Sequence, residues 1–277
     1  MIKVLEFPNK EFQNKQDLFR ALIDNKKELI SIKKSATKNA DAVSFAYLDT
    51  SVKIDTNKED VNSQIQSPES LNVKVVINTT NFLDSHGDVH VSGIWNKSIK
   101  DNVTFLHLQE HEREFDKVIT DSANGYVQSI TWKKLGLPYE GKTDALIFES
   151  TIDKKRNEFM LNQYANGWVK NHSVGMRYVQ LDMAVNSEAD FDKEEKALWD
   201  EYYPIIANKE VADERGYFWV VKEAKIIEGS AVVMGSNSAT PTLENKNEPL
   251  ENTQENEPTE VTQEQKQLLQ NLLKKFN

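Results

Sequence analysis

The sequence predicts an α+β fold: a β-rich, mostly antiparallel barrel with flanking helices, a helical N-terminal extension and a flexible C-terminal tail. Three observations predict it. From residue 71 onward, seven short apolar runs (VKVVI, VTFLHL, GYVQSITW, ALIFEST, SVGMRYVQL, YFWVVKEAKII and SAVVM) are separated by turn residues, as in an antiparallel sheet or barrel. Residues 10–34 and 153–168 instead place apolar side chains three and four apart among charges, the helical period. After residue 240 the chain turns to PTLENKNEPLENTQENEPTEVT, too polar to bury the area that offsets chain entropy.

In chain order, Phe12, Leu18, Phe19, Leu22, Ile23, Leu29 and Ile30 form the apolar stripe of an amphipathic N-terminal helix. Residues 39–70 are rich in Asp, Asn, Ser, Thr and Lys around one apolar run at 43–48, read as a single strand or an arm. Residues 1–70 are therefore assigned to an N-terminal extension and 71–240 to the main domain. Within that domain Phe159, Met160, Tyr164 and Trp168 predict a helix leading into the SVGM strand. A charged stretch at about 185–205, with Ser187 as its cap and Leu198, Trp199 and Tyr202 on one face, reads as a helical insertion. Residues 241–277 are an acidic linker ending in QEQKQLLQNLLKKF, a short amphipathic docking helix.

Composition narrows the chemistry. The 277 residues carry 34 Lys and Arg against 44 Asp and Glu, a net charge of −10, so nucleic acid would have to bind against the overall field. With no cysteine there is no disulfide, thiol nucleophile, Fe–S cluster or Cys-ligated zinc. The first residues lack the apolar run of a signal peptide and no stretch approaches the roughly 20 apolar residues that span a bilayer. The expectation is a cytosolic protein with neither a membrane nor a nucleic acid as partner.

The five histidines, His86, His90, His107, His111 and His172, are the most informative spacing. Two pairs are four apart, and Asp84, His86, Asp88 and His90 alternate, so a metal-dependent hydrolase is one candidate. The alternative reading of these residues is a solvated polar turn, favoured by Gly87 and by the absence of an HExxH motif. A second constellation is Ser173 in NHSVGMR at 171–177: on a strand, Ser173, Gly175 and Arg177 face one way and Val174, Met176 and Tyr178 the other. A serine hydroxyl becomes a nucleophile only with a base to take its proton and a group to orient that base.

Four blocks, in order, resemble the prohead maturation proteases of tailed phages, a serine peptidase family similar in fold to the herpesvirus assemblins. They are NFLDSHGDV at 81–89 with SGIW at 92–95; FLHLQEHEREFDKVI at 105–119; Gly167 with SVGM at 173–176; and AKIIEGSAVV at 224–233 with SAT at 238–240. The resemblance spans roughly residues 72–240 and implies an assemblin-like barrel. It implies Ser173 as nucleophile, His111 as general base and Glu228 as orienting acid, with His107 or His172 as alternatives for that third place. Arg177 would support the oxyanion region or substrate, or form a surface ion pair. No metal or other cofactor is implied. The implied activity is cleavage of the scaffold protein and of the N-terminal segment of the major capsid protein inside the assembling procapsid, in the host cytoplasm. Self-cleavage in the tether at about 242–262 and homo-oligomerisation go with it. The rival from a different class is a non-proteolytic capsid scaffolding protein that keeps the fold.

Overall fold

The computed structural model describes residues 1–40, 46–48, 69–189 and 192–233, within a compact unit spanning residues 1–243. The predicted linker and docking helix at 241–277, and the run at 43–45, lie outside the described residues. Two helices, α1 (Lys15–Asp24) and α2 (Lys26–Ser35), precede strands β1 (Lys38–Ala40), β2 (Ala46–Leu48), β3 (Ser70–Thr79) and β4 (Asp88–His90). Then come α3 (Asn96–Asp101), β5 (Phe105–Gln109), β6 (Val118–Thr131), β7 (Lys142–Asp153), α4 (Lys154–Ala165) and β8 (Asn171–Val185). The order ends with α5 (Lys193–Tyr202), α6 (Lys209–Arg215) and β9 (Tyr217–Val232).

The closed, mostly antiparallel barrel expected from the sequence is not what forms. The strands make one nine-stranded mixed sheet in the order β1-β8-β9-β5-β6-β7-β3-β2, with β4 paired to β9 off this path, and the path is open. β4 and β5 run parallel to β9. β6 is long enough to serve both halves of the sheet. Its first residues pair with β5, as in Phe105↔Ala123, and residues 124–131 pair with β7. The halves bury Val75, Ile77, Phe148, Met176 and Trp219 in one core, where β3 and β8 approach without forming a ladder. The apolar runs do not reveal this, since alternation reports a buried face and not which strand lies next door. The sixth and seventh runs are both parts of β9, whose 16 residues leave no room for a turn between them.

The N-terminal stripe folds as two helices. Asn25 leaves helical geometry (φ −105°, ψ 8°), and its amide caps α1 by donating to the Ala21 carbonyl. Phe12, Leu18, Phe19, Leu22 and Leu29 join the main core. Polar anchors, among them Glu6 and Lys33, secure the segment. Glu6 accepts hydrogen bonds from Tyr217 Oη and Trp219 Nε1, both at 2.8 Å. Lys33 reaches Asp88 Oδ1 at 2.5 Å, while Tyr178 Oη donates to Asp88 Oδ2 at 2.7 Å. A buried charge is tolerated only when paired and hydrogen-bonded, and Asp88 is both.

The helix at 154–165 starts where Asp153 accepts from the Lys155 N–H, an N-cap. It delivers the chain into β8 through Gly167, whose φ of 66° suits a residue without Cβ. In the charged insertion the helix begins only at Lys193, with Asp192 in the cap position. Ser187 instead accepts from the Ala189 N–H before the helix.

Candidate functional site

Two neighbouring strands build the site. Over residues 171–175 β8 runs antiparallel to 228–232 of β9, with Ser173 opposite Ser230 and Gly175 opposite Glu228. Directly opposed residues share a face, with Cβ atoms roughly 5 Å apart. Gly229 and Gly175 identify the faces. A Cβ on Gly229 would run into Phe148 and Ile77 of the core, whereas a Cβ on Gly175 would overlap the Glu228 carboxylate. Ser173, Gly175, Glu228 and Ser230 therefore share the face turned from that core. The register slips between Gly175↔Glu228 and Met176↔Ile226, leaving Ile227 as an extra residue immediately before the carboxylate. Bulges of this kind re-aim the side chains beside them.

His111 arrives from the third strand. β5 lies parallel to β9, and after Gln109 the chain takes two consecutive left-handed residues, Glu110 (φ 51°) and His111 (φ 61°). Neither has the freedom of glycine, so the pair stores on the order of 1–3 kcal/mol per residue, repaid by what the turn holds in place. Glu110 N–H donates to the Ala231 carbonyl at 2.9 Å, and Glu110 Oε1 accepts from the Val233 N–H at 2.6 Å. His111 N–H donates to Ser230 Oγ at 3.1 Å. The turned-back imidazole then places Nδ1 2.7 Å from Glu228 Oε1.

A carboxylate only accepts, so Nδ1 is the nitrogen that carries a proton towards Glu228, and Nε2 is the ring nitrogen turned from the acid. Ser230 Oγ donates to the other carboxylate oxygen, Oε2, at 2.6 Å. Glu228 is thus held on both oxygens, its side chain 2% exposed while that of His111 is 17% exposed. The arrangement is a base oriented by a buried acid, on the face that carries Ser173.

His107 and His172 go elsewhere. Both are fully buried on the core side, where Tyr164 Oη lies 2.7 Å from His172 Nε2 and 3.2 Å from His107 Nε2. Ser150 Oγ closes the chain at 3.0 Å from His107 Nδ1. Burial lowers the His107 pKa to about 3 and holds that of His172 well below the usual imidazole value, with His107 adding to the effect. Arg177 is exposed on β8 opposite Lys225.

In the Asp84–His90 segment Ser85 is exposed and His86 half-buried at a turn, so the solvated-turn reading holds at its tip, whereas Asp84, Asp88 and His90 are buried in a polar knot. Asp84 Oδ1 accepts from the Asp88 N–H at 2.8 Å, Asp88 is taken by Lys33 and Tyr178, and His90 packs its ring against Trp95 and Tyr178. Desolvation lowers the His90 pKa to about 4 against the opposing pull of Asp88. Among the described residues no group of three or more His, Asp or Glu has the geometry to hold a metal ion, and no helix is long and apolar enough to cross a membrane.

Sequence reasoning assigned no role to Ser230, which ties the acid to the backbone of the base. The signal available was its spacing of two from Glu228, which puts both on one face of a strand. Comparison of the chain with models of protein families, with characterised proteins and with solved structures returned no match.

Proposed function

We propose that the chain is a serine endopeptidase of procapsid maturation, with Ser173 as nucleophile, His111 as general base and Glu228 as orienting acid. The observation that carries this reading is the 2.7 Å contact from His111 Nδ1 to Glu228, on the face of β8 and β9 that also bears Ser173. In this mechanism Ser173 Oγ attacks the peptide carbonyl carbon as His111 Nε2 takes its proton. Glu228 stabilises the imidazolium, which then protonates the departing amine. Water, deprotonated by the same nitrogen, hydrolyses the acyl-enzyme and restores Ser173. The open sheet removes the implied barrel from the argument, so the reading rests on the site and on the four sequence blocks.

The proposed substrates are the scaffold protein and the N-terminal segment of the major capsid protein, cleaved in the procapsid, with self-cleavage and self-association as accompanying features. The test is co-expression of the wild type and Ser173→Ala with the cognate capsid and scaffold proteins, following chain masses over time. Processing by the first and full-length chains with the second is the expected result. Equal processing by both would remove Ser173 as nucleophile. No processing by either would favour the non-proteolytic scaffolding role.

A further inference from the structure

The edge of β8 next to Ser173 is covered by β1, a strand from the N-terminal segment. In the sheet order β8 has β9 on one side and only β1 on the other. β1 is three residues long, Lys38–Ala40, paired antiparallel as Lys38↔Met176, Asn39↔Gly175 and Ala40↔Val174. Its end therefore lies one register position from Ser173.

Lys, Asn and Ala are all depleted in strands, so the described residues of β1 have low intrinsic strand preference. β1 is also tethered. Leu29 is in the core and Lys33 is ion-paired to buried Asp88, five positions before Lys38, so the arm is confined to the edge at high effective concentration. With β1 in position Ser173 is 3% exposed. Lifted away, β1 would open those N–H and C=O groups of Val174–Met176 that point away from β9, a template for an extended peptide beside the serine.

We propose that this edge of β8 is the seat of an extended polypeptide substrate and that β1 occupies it in cis as a built-in competitor, which substrate must displace. The proposal deepens the protease reading and rests on it for the word substrate. The strand-for-strand exchange itself stands apart from catalysis. The incoming segment would run antiparallel to β8, as β1 does, and be recognised mainly through its backbone.

The test uses the full chain. In the Ser173→Ala background, where nothing is cut, the probe is a fluorescein-labelled peptide copying residues 34–44, followed by anisotropy. Asn39→Pro with Ala40→Pro removes two consecutive N–H donors, one of which must face β8 because alternate residues of a strand point their backbone groups to each side. Release of β1 should tighten peptide binding at least about tenfold, the direction set by removing a tethered competitor. A second variant, Lys38→Gly with Asn39→Gly and Ala40→Gly, keeps the donors, weakens the strand through chain entropy and guards against a proline-specific folding failure.

In parallel, the double-proline change in the Ser173 chain should speed labelling of Ser173 by a fluorophosphonate. Tighter peptide binding without any serine labelling would keep the exchange and sink the protease. Faster labelling with unchanged peptide binding in both arm variants would overturn the exchange, leaving β1 as a cover only. Peptide binding equally weak in all chains would overturn it as well.

Discussion

His172 and Ser173 are neighbours on β8 yet belong to different environments, and so do His107 within β5 and His111 in the turn that follows it. His172 and His107 lie in the core, bridged by Tyr164 and with both imidazoles held neutral by burial. Ser173 and His111 lie on the opposite side with a buried carboxylate, and His111 retains partial exposure. Both clusters are hydrogen-bonded imidazoles. They differ in charge: a hydroxyl bridge needs no ion, whereas the pairing with Glu228 is built to stabilise an imidazolium. Under the proposed function the core cluster is structural and the other is the one that passes a proton.

The largest break in that contrast is Glu228→Gln. It keeps the shape and removes the charge, so the site comes to resemble the core cluster. The amide can also turn its NH2 towards Nδ1 and favour the wrong tautomer. Proteolysis should fall by about 10⁴, the scale on which amide replacement of the acid acts in Ser–His–acid sites. Thermal stability should change little by comparison, because Ser230 still has an oxygen to bond. Rates on a cleaved capsid-protein peptide, beside unfolding curves, would check both halves, and a rate within tenfold of wild type would break the assignment of Glu228.

Gly175→Ala comes next. The added methyl overlaps the Glu228 carboxylate, which Ser230 and His111 hold from the other directions, so the acid must shift. Displacing a positioned group by about 1 Å costs on the order of 10² in rate. The expected signature is a lower kcat with KM nearly unchanged. An unaltered kcat would mean that the carboxylate has room the geometry denies it.

How much of this could be read from the chain depended on range. Alternation along β8 placed Ser173, Gly175 and Arg177 on one face, and the faces are divided that way, because side-chain alternation is local. Strand neighbours are not local. Nothing in the apolar runs says that β5 lies parallel to β9, that β6 spans both halves of the sheet, or that the path stays open. The polar knot at Asp84–His90 was illegible for a similar reason, since its buried partners, Lys33 and Tyr178, lie 55 and 90 residues from Asp88. The sequence left Glu228, His107 and His172 as alternatives for the third place because it does not show that Glu228 meets His111 while His107 and His172 meet Tyr164. Spacing alone cannot show that Glu110 and His111 turn left-handed and fold the imidazole back onto β9.

Tyr164→Phe sharpens the comparison from the core side. It removes the hydroxyl shared by His107 and His172 and leaves imidazole nitrogens buried without that partner. The cost should be about 1–3 kcal/mol of stability, with kcat unchanged if the core cluster is structural only. Urea unfolding measures the first and steady-state kinetics the second. A fall in kcat with intact stability would instead bring the core histidines into the mechanism.

A last comparison separates the buried histidines from the surface by pH. His90 and His107 have folded pKa values of about 4 and about 3, lowered mainly by burial from 6.5, and His172 is lowered in the same direction. The unfolded chain therefore binds protons at these positions below pH 6.5 while the folded chain does not. Their contribution is fully present above pH 6.5 and is lost as pH falls towards 4 for His90 and 3 for His107. The slope is up to about 1.4 kcal/mol per pH unit for each histidine. Ordinary carboxylates titrate largely below this range, so comparing urea unfolding at pH 7.5 and 5.5 isolates the imidazoles. Stability should drop by a few kcal/mol over that interval, and His90→Gln should make the drop smaller by about 1 kcal/mol. A flat profile would mean that these rings already share their environment with water, erasing the distinction between the two faces of β8.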